Sequence, residues 1–502
     1  MNRKKLYCHL LCCISLILFI NIQELNAQVK SVPLTKENSR NIFKAGASTT
    51  NITPHLGGDI VGNFGIPSEA TYVHDELHNR CLVLDDGATQ LVLVIVDNIS
   101  LKRVLIDAAK SKIEKETGIP RSNILISATH THSSVSAGGK GEKRGEYSNE
   151  TFDEYQKFLI KRIAESVRIA LNNLEPAKIG WGVGSVPEHV YVRRWILKDP
   201  IINPFGEYDK VQFNPGHSNK NKLKPASIPD PEVSFVSIKS ASGKPIALLA
   251  NYSLHYVGGV PKNHISADYF AVFADRIQKL LKADRQEPPF VGIMTNGTSG
   301  DVNNINFGGE SEKNKPYKKI RRVAEDLARK VYHVENGIEY YNWVPLGVVT
   351  DEITLDICKP DEKLIIRSRN VLERPDSVKP IHNLEKTYAE NIIRLLNWPD
   401  QIDIVVQTLQ IGDLGIAAIP FETFAEIGRE IKEKSPFKNT FTIELANGSY
   451  GYLSTPEQHE LGGYETWWST NKVQKDASTK ITNKIIEQFV SMQNTSKLKN
   501  NY

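Results

Sequence analysis

Four polar clusters in this chain each follow a short apolar run. His130-Thr131-His132-Ser133 comes after residues 123–127, and Asn251-Tyr252-Ser253-Leu254-His255 closes the run 246–252. Thr295-Asn296-Gly297-Thr298-Ser299-Gly300-Asp301 follows 290–294, and Pro420-Phe421-Glu422 follows 414–419. Imidazole and carboxylate are ligands that zinc takes from proteins, and a catalytic zinc keeps one position for water. His130 and His132 stand two apart, a spacing that puts both rings on one face of an extended chain. They can approach one metal together, or one can bind it while the other touches substrate. A lone H-x-H is weak, and any single histidine is more often structural. The bland reading loses ground because His255 and Glu422 also sit at strand ends, where α/β sheets gather their reacting groups. Asp301 and Asp97 stand at such ends as candidate bases. Ser299, in a Gly-Thr-Ser-Gly setting, reads as a turn hydroxyl.

These clusters need a sheet to carry them. Residues 91–96 (LVLVIV) form an unbroken apolar run, read as a strand buried on both faces. A helical spacing over 103–117 and a second strand at 123–127 complete a strand–helix–strand unit. Further strands are expected at 233–238 and 246–252, joined by Ser242-Gly243-Lys244, and at 290–294, 402–411, 414–419 and 440–445. Helices are expected at 153–173, 267–283 (with Ser266 as cap), 316–335 and 421–434. Gly57, Gly58 and Gly62 read as a loop that lets backbone approach the site. Residues 198–230, rich in Pro, Asn and Lys, read as a long surface loop or lid, and 493–502 as a frayed polar tail. The fold class expected is α/β: layered sheets with flanking helices in one large catalytic domain, 28–502.

The first residues address the chain. Arg3, Lys4 and Lys5 precede the apolar stretch 10–20, and Leu25-Asn26-Ala27 offers a small-residue cleavage site. That pattern reads as a signal peptide over 1–27, too short for an ordinary span, and predicts a secreted or periplasmic protein with no transmembrane segment after cleavage. Cleavage takes Cys8, Cys12 and Cys13 and leaves Cys81 and Cys358, too few for a disulfide framework. It lowers 62 basic and 58 acidic residues to 59 and 57, a balance that argues against nucleic acid as a partner. The partner expected is a small-molecule or lipid substrate.

In the order of these motifs, together with Tyr452 to Glu457, the chain resembles the neutral (non-lysosomal) ceramidases and their bacterial relatives. The resemblance implies a Zn2+ held by His130, His255, Glu422 and Tyr452, with Tyr450 the competitor for the last place. It implies that His132 binds substrate or the oxyanion and that Arg193 contacts substrate, with Arg194 as its competitor. It also carries departures. The family's G-D-V-S-P-N stretch, with its catalytic Ser, is Gly300-Asp301-Val302-Asn303-Asn304-Ile305 here, so the serine position is Asn303. About fifty residues follow Tyr452, fewer than the ~100 of a β-sandwich, so the family's C-terminal immunoglobulin-like domain is expected to be absent. The implied reaction is hydrolysis of an N-acyl amide by metal-activated water, with Arg193, His132, Asp301 and Asn303 around it. A zinc hydrolase of the same fold acting on another acylated or glycan-derived substrate is the alternative; a non-catalytic secreted binding protein is a third.

Overall fold

The apolar runs pair into two sheets. The computed structural model describes residues 42–63, 65–139 and 151–499; the signal peptide expected at 1–27 lies outside them. The larger sheet is built from β1 (Lys44–Asn51), β2 (His78–Asp85), β3 (Gln90–Val96), β4 (Ile124–Ala128), β5 (Glu175–Ser185), β6 (Glu232–Ser240), β7 (Pro245–Tyr252) and β8 (Val291–Asn296). Their order is β8-β7-β6-β5-β1-β2-β3-β4. The sheet is antiparallel inside and parallel at its two edges, where β7 pairs with β8 and β3 with β4. The smaller sheet has β9 (Leu346–Asp356), β10 (Gln401–Ile411), β11 (Leu414–Ile419) and β12 (Asn439–Glu444) side by side, the last two parallel.

Alternation along the strands makes the layers. Leu82, Leu84, Leu93 and Ile95 turn to one face and pack with Leu409, Ile416, Phe441 and Ile443 of the smaller sheet. Cys81, Val83, Val92 and Val94 turn to the other face and pack with α1 (Arg103–Thr117) and α2 (Glu154–Asn172) through Leu105, Ile113, Leu159 and Ile163. The helices α3 (Asp268–Leu280) and α4 (Lys318–Glu335) cover β6 to β8 through Phe270, Phe273 and Leu327. Beyond the hairpin of α5 (Glu362–Glu373) and α6 (Glu385–Leu395), α7 (Ala425–Lys434) and α8 (Ala477–Lys499) cover the smaller sheet through Ile427, Ile431, Ile481 and Phe489. The result is helix, sheet, sheet, helix, each fully buried Leu, Ile or Phe contributing roughly 1.5–3 kcal/mol. Cys81 and Cys358 are free thiols, and no described helix is long and apolar enough to cross a membrane.

Three expectations need correction. Residues 198–230 are not a structureless loop: strands Arg194–Ile202, Tyr208–Phe213 and Lys222–Pro225 form a sheet, the first in the middle. An irregularity between Ile196 and Ile201 breaks the register and with it the period-two signal that would betray a strand. The helix expected from 421 starts at Ala425, because Glu422–Thr423 is extended and pairs with Tyr452–Leu453. The tail is helical through Lys499, as the last turns of α8.

One buried cation runs against the packing. Lys110 on α1 is 4% exposed, and burial pulls its amine down to about 8. Below pH 8 both folded and unfolded chains carry the proton, so the folded state bears the whole desolvation penalty. That penalty fades as pH rises from 8 towards the free-amine value. Lys110→Met is therefore expected to raise stability by about 1–3 kcal/mol at pH 7. Urea melts of both proteins at pH 7 and pH 10 check this; the gap should close at the higher pH.

Candidate active site

The parallel strand ends place the site. The chain leaves β4 into Thr129, and His130 takes a left-handed backbone, φ 70°, a conformation that concentrates at functional sites. His255 follows β7, Gly300 and Asp301 follow β8, and Glu422 follows β11. The side chains converge. His130 Nε2 lies 3.0 Å from His255 Nε2 and 3.1 Å from His132 Nε2. Glu422 Oε2 lies 3.4 Å from His130 Nε2 and 3.9 Å from His255 Nε2.

The outer nitrogen of each ring faces oxygen. His130 Nδ1 is 2.7 Å from Ile99 O, His132 Nδ1 is 2.7 Å from Gly62 O, and His255 Nδ1 is 3.2 Å from Ser299 O and 3.3 Å from Ser299 Oγ. Each Nδ1 therefore carries the hydrogen, and three Nε2 lone pairs meet at one point. Lone pairs at 3 Å repel unless a positive charge sits among them. Tetrahedral ligands about 2.0–2.1 Å from zinc lie roughly 3.3 Å apart, close to the spacings seen. The three imidazoles and Glu422 thus fit a metal ion of nitrogen-and-oxygen preference, and buried His130 and His255 with half-buried His132 form a group able to hold one.

Electrostatics agree with room for a single central charge. Burial opposes an imidazolium at His130, but the Glu422 carboxylate outweighs it and holds His130 above its ordinary value. Burial, reinforced by His130, keeps His132 well below the usual range, and burial with Arg193 and His130 does the same to His255. Against its own burial, His130 holds Glu422 below the usual carboxylate value.

A cavity of about 640 Å³ opens beside these groups, lined also by Arg193, Asn214, Tyr256, Asn303, Tyr452 and Tyr464. Arg193 is held hard. Its Nε donates to Glu465 Oε1 (3.0 Å), and its Nη2 donates to Gly300 O (2.6 Å) and to the Tyr452 hydroxyl (2.9 Å). That uses three of its five N–H donors; the two on Nη1 have no protein partner among the described residues. Arg194, the first residue of the next strand, shares Glu465 through Oε2 but turns its other donors away from the cavity, to Gly462 O. Tyr452 lines the cavity and hydrogen-bonds Glu422, whereas Tyr450 packs against Phe421 in the core. Asn303 lines the cavity with its carboxamide engaged: Oδ1 accepts from Ile305 N and Nδ2 donates to Asn214 Oδ1.

Asp301 sits behind the cavity. Its oxygens accept from Ala425 N (2.8 Å) and Ser227 Oγ (2.5 Å), so it anchors α7 and does not face the imidazoles. Asp97 is spent on Arg80 at 2.7 Å. Gly62 bears out the glycine-loop reading: its φ is 112°, and a Cβ there would lie 2.7 Å from the His132 ring. Gly57 and Gly58 do not reach the site. Three residues escaped the sequence reading. Glu465 holds both arginines from a fully buried position. Tyr464 has its ring 5.8 Å from that of Tyr452. Glu444, also fully buried, accepts from Ser299 Oγ. The strand-end rule that picked out the four clusters also points to Glu444, which closes β12; nothing local marks Glu465 or Tyr464.

The family model for the neutral/alkaline non-lysosomal ceramidase N-terminal domain matches residues 43–320. The chain belongs to this family. The match spans His130, His132, Arg193, His255 and Asn303; Glu422 and Tyr452 lie beyond it. The fold is similar to that of neutral ceramidase from Pseudomonas aeruginosa, at a TM-score of 0.67 and 14% identity, covering 91% of this chain and 75% of that one. It is similar also to a ceramidase complexed with C2, at a TM-score of 0.66 and 14% identity, covering 91% and 76%. At such identity the ceramidase likeness is one of fold. After Tyr452 the described residues hold helices and turns and no β-sandwich.

Proposed function

We propose that this ceramidase-family protein is an exported zinc hydrolase that cleaves an N-acyl amide of ceramide type. The observation that carries the reading is the meeting of three imidazole Nε2 atoms and the Glu422 carboxylate at the floor of a cavity. Of the groups that meet there, we assign His130, His255 and Glu422, with Tyr452 hydrogen-bonded to Glu422, to hold the ion, and leave the His132 Nε2 free for the proton. Zinc, when bound, polarises an acyl carbonyl and lowers the pKa of water towards about 7.

The chain's own groups supply the rest. Arg193 offers its two Nη1 donors to the oxygen that gains charge as the carbonyl becomes tetrahedral. Its guanidinium is preorganised by Glu465, Gly300 and Tyr452, so little reorganisation is needed at the moment of reaction. His132 is stacked on Tyr256, with ring centroids 3.8 Å apart, and its Nδ1–H is pinned by Gly62 O. Its Nε2 lone pair can take a proton from the attacking water and return it to the leaving amine nitrogen. Asn303 cannot act as the family's serine nucleophile, which favours direct attack by water over an acyl-enzyme. Asp301 is left to structure.

A second reading has its own support. Asn63, Asn214, Asn303 and Asn304 all line the cavity, a carboxamide rim that suits a hydrophilic N-acyl compound such as an acylated amino sugar. The test is zinc content of the purified protein by mass spectrometry, followed by a panel of fluorescent ceramides, N-acyl amino sugars and simple esters. About one zinc per chain with turnover of ceramides supports the first reading, and turnover of amino sugars alone the second. A zinc-loaded protein that cleaves no N-acyl compound would overturn both.

A further inference from the structure

Glu444 is an unexpected acid to find so deep in the molecule. It closes β12, paired with Ile419 at the end of β11, and is fully buried outside the cavity lining. A buried carboxylate must be compensated, and this one accepts three hydrogen bonds: from Ser299 Oγ at 2.7 Å, Thr423 N at 2.7 Å and Ser299 N at 3.2 Å.

Those donors come from two strand ends in different sheets. Ser299 belongs to the turn after β8 and supports His255 Nδ1 through both its carbonyl and its hydroxyl. Thr423 follows Glu422 and receives Gly300 N at 2.8 Å. The two segments lie so close that a Cβ on Gly300 would be 2.5 Å from Glu422 O. One carboxylate therefore ties the support of His255 to the backbone of Glu422. The hydrogen bonds share a sense: His255 Nδ1–H to Ser299 Oγ, then Ser299 Oγ–H to Glu444.

We propose that Glu444 is a positioning residue for the metal centre, fixing the His255 tautomer through Ser299 and the place of Glu422 through Thr423. The proposal rests on the reading of His130, His255 and Glu422 as ligands. Outer partners of this kind orient the ligand and raise its basicity, and their loss weakens metal binding about 10–100-fold.

The experiment is chelator-competition titration of zinc on the full chain, with thermal melts of the metal-free form beside it. Glu444→Gln keeps the shape but sets an amide N–H₂ against backbone or hydroxyl donors. Its zinc affinity is expected to fall about 10–100-fold, while the metal-free melting temperature changes little. Ser299→Ala keeps the carbonyl contact to His255 and should lose about tenfold; it carries the test if Glu444→Gln does not fold. Zinc affinities of the folded variants within about threefold of wild type would overturn the proposal, since a role confined to packing would move the melt and leave metal binding alone. A wild-type protein that binds no zinc would instead overturn the metal-centre reading itself.

Discussion

His130→Ala is expected to empty the site of zinc and to abolish hydrolysis. His130 is the hub: its Nε2 is within 3.0–3.4 Å of His255, His132 and Glu422. Without it the metal loses a ligand, and the carboxylate of Glu422 loses the group that offsets its burial. The fall in kcat/KM should exceed the ~10²–10³ that one oxyanion donor supplies, and zinc after dialysis should drop to about a tenth of wild type or less. Alanine is also less at ease than histidine at φ 70°, so a stability loss of about 1 kcal/mol is expected alongside. His255→Ala, with no such backbone constraint, separates the two effects. A folded His130→Ala protein with full zinc and wild-type turnover would remove the metal centre from the mechanism.

The second large effect is at Arg193. Arg193→Lys is expected to lower kcat about 10²–10³-fold with KM and zinc content little changed, because the lysine ammonium cannot keep the Glu465, Gly300 and Tyr452 contacts and still point two donors at the substrate. Arg193→Ala should add a folding defect: Glu465, fully buried, would keep only Arg194 as its ion-pair partner. Breaking a buried pair costs up to about 3–5 kcal/mol, and the surviving arginine should hold the loss below that. Steady-state kinetics on zinc-saturated protein decide the matter. A raised KM with unchanged kcat would mean that Arg193 binds the ground state and the transition state alike.

The cavity also separates motifs that looked equivalent in sequence. Arg193 and Arg194 are adjacent, and Tyr450 and Tyr452 stand two apart. One member of each pair reaches the cavity: Arg194 turns instead to Gly462 O, and Tyr450 packs on Phe421 because Gly451, at φ 97°, breaks the extended run between the two tyrosines. Asp301 and Asn303, two apart in one motif, are likewise divided, the carboxylate going to the start of α7 and the carboxamide to the cavity. Ser299 was readable as a turn hydroxyl; its Oγ also bridges His255 and Glu444.

Period and composition alone determined the α/β class, the buried strand at 91–96, and the polar clusters at strand ends, because strands and amphipathic helices write their burial into local spacing. They could not reveal the sheet within 194–225, where a break in register scrambles the alternation, nor that Glu422 belongs to a two-residue strand paired thirty residues away. The convergence of His130, His255 and Glu422, and the choice of Arg193 over Arg194, were decided by the tertiary structure. A site built from the ends of strands in two sheets depends on how those sheets stack. Stacking is set by the summed packing of Leu82, Leu93, Ile416, Phe441 and their neighbours, and no local stretch of chain encodes it.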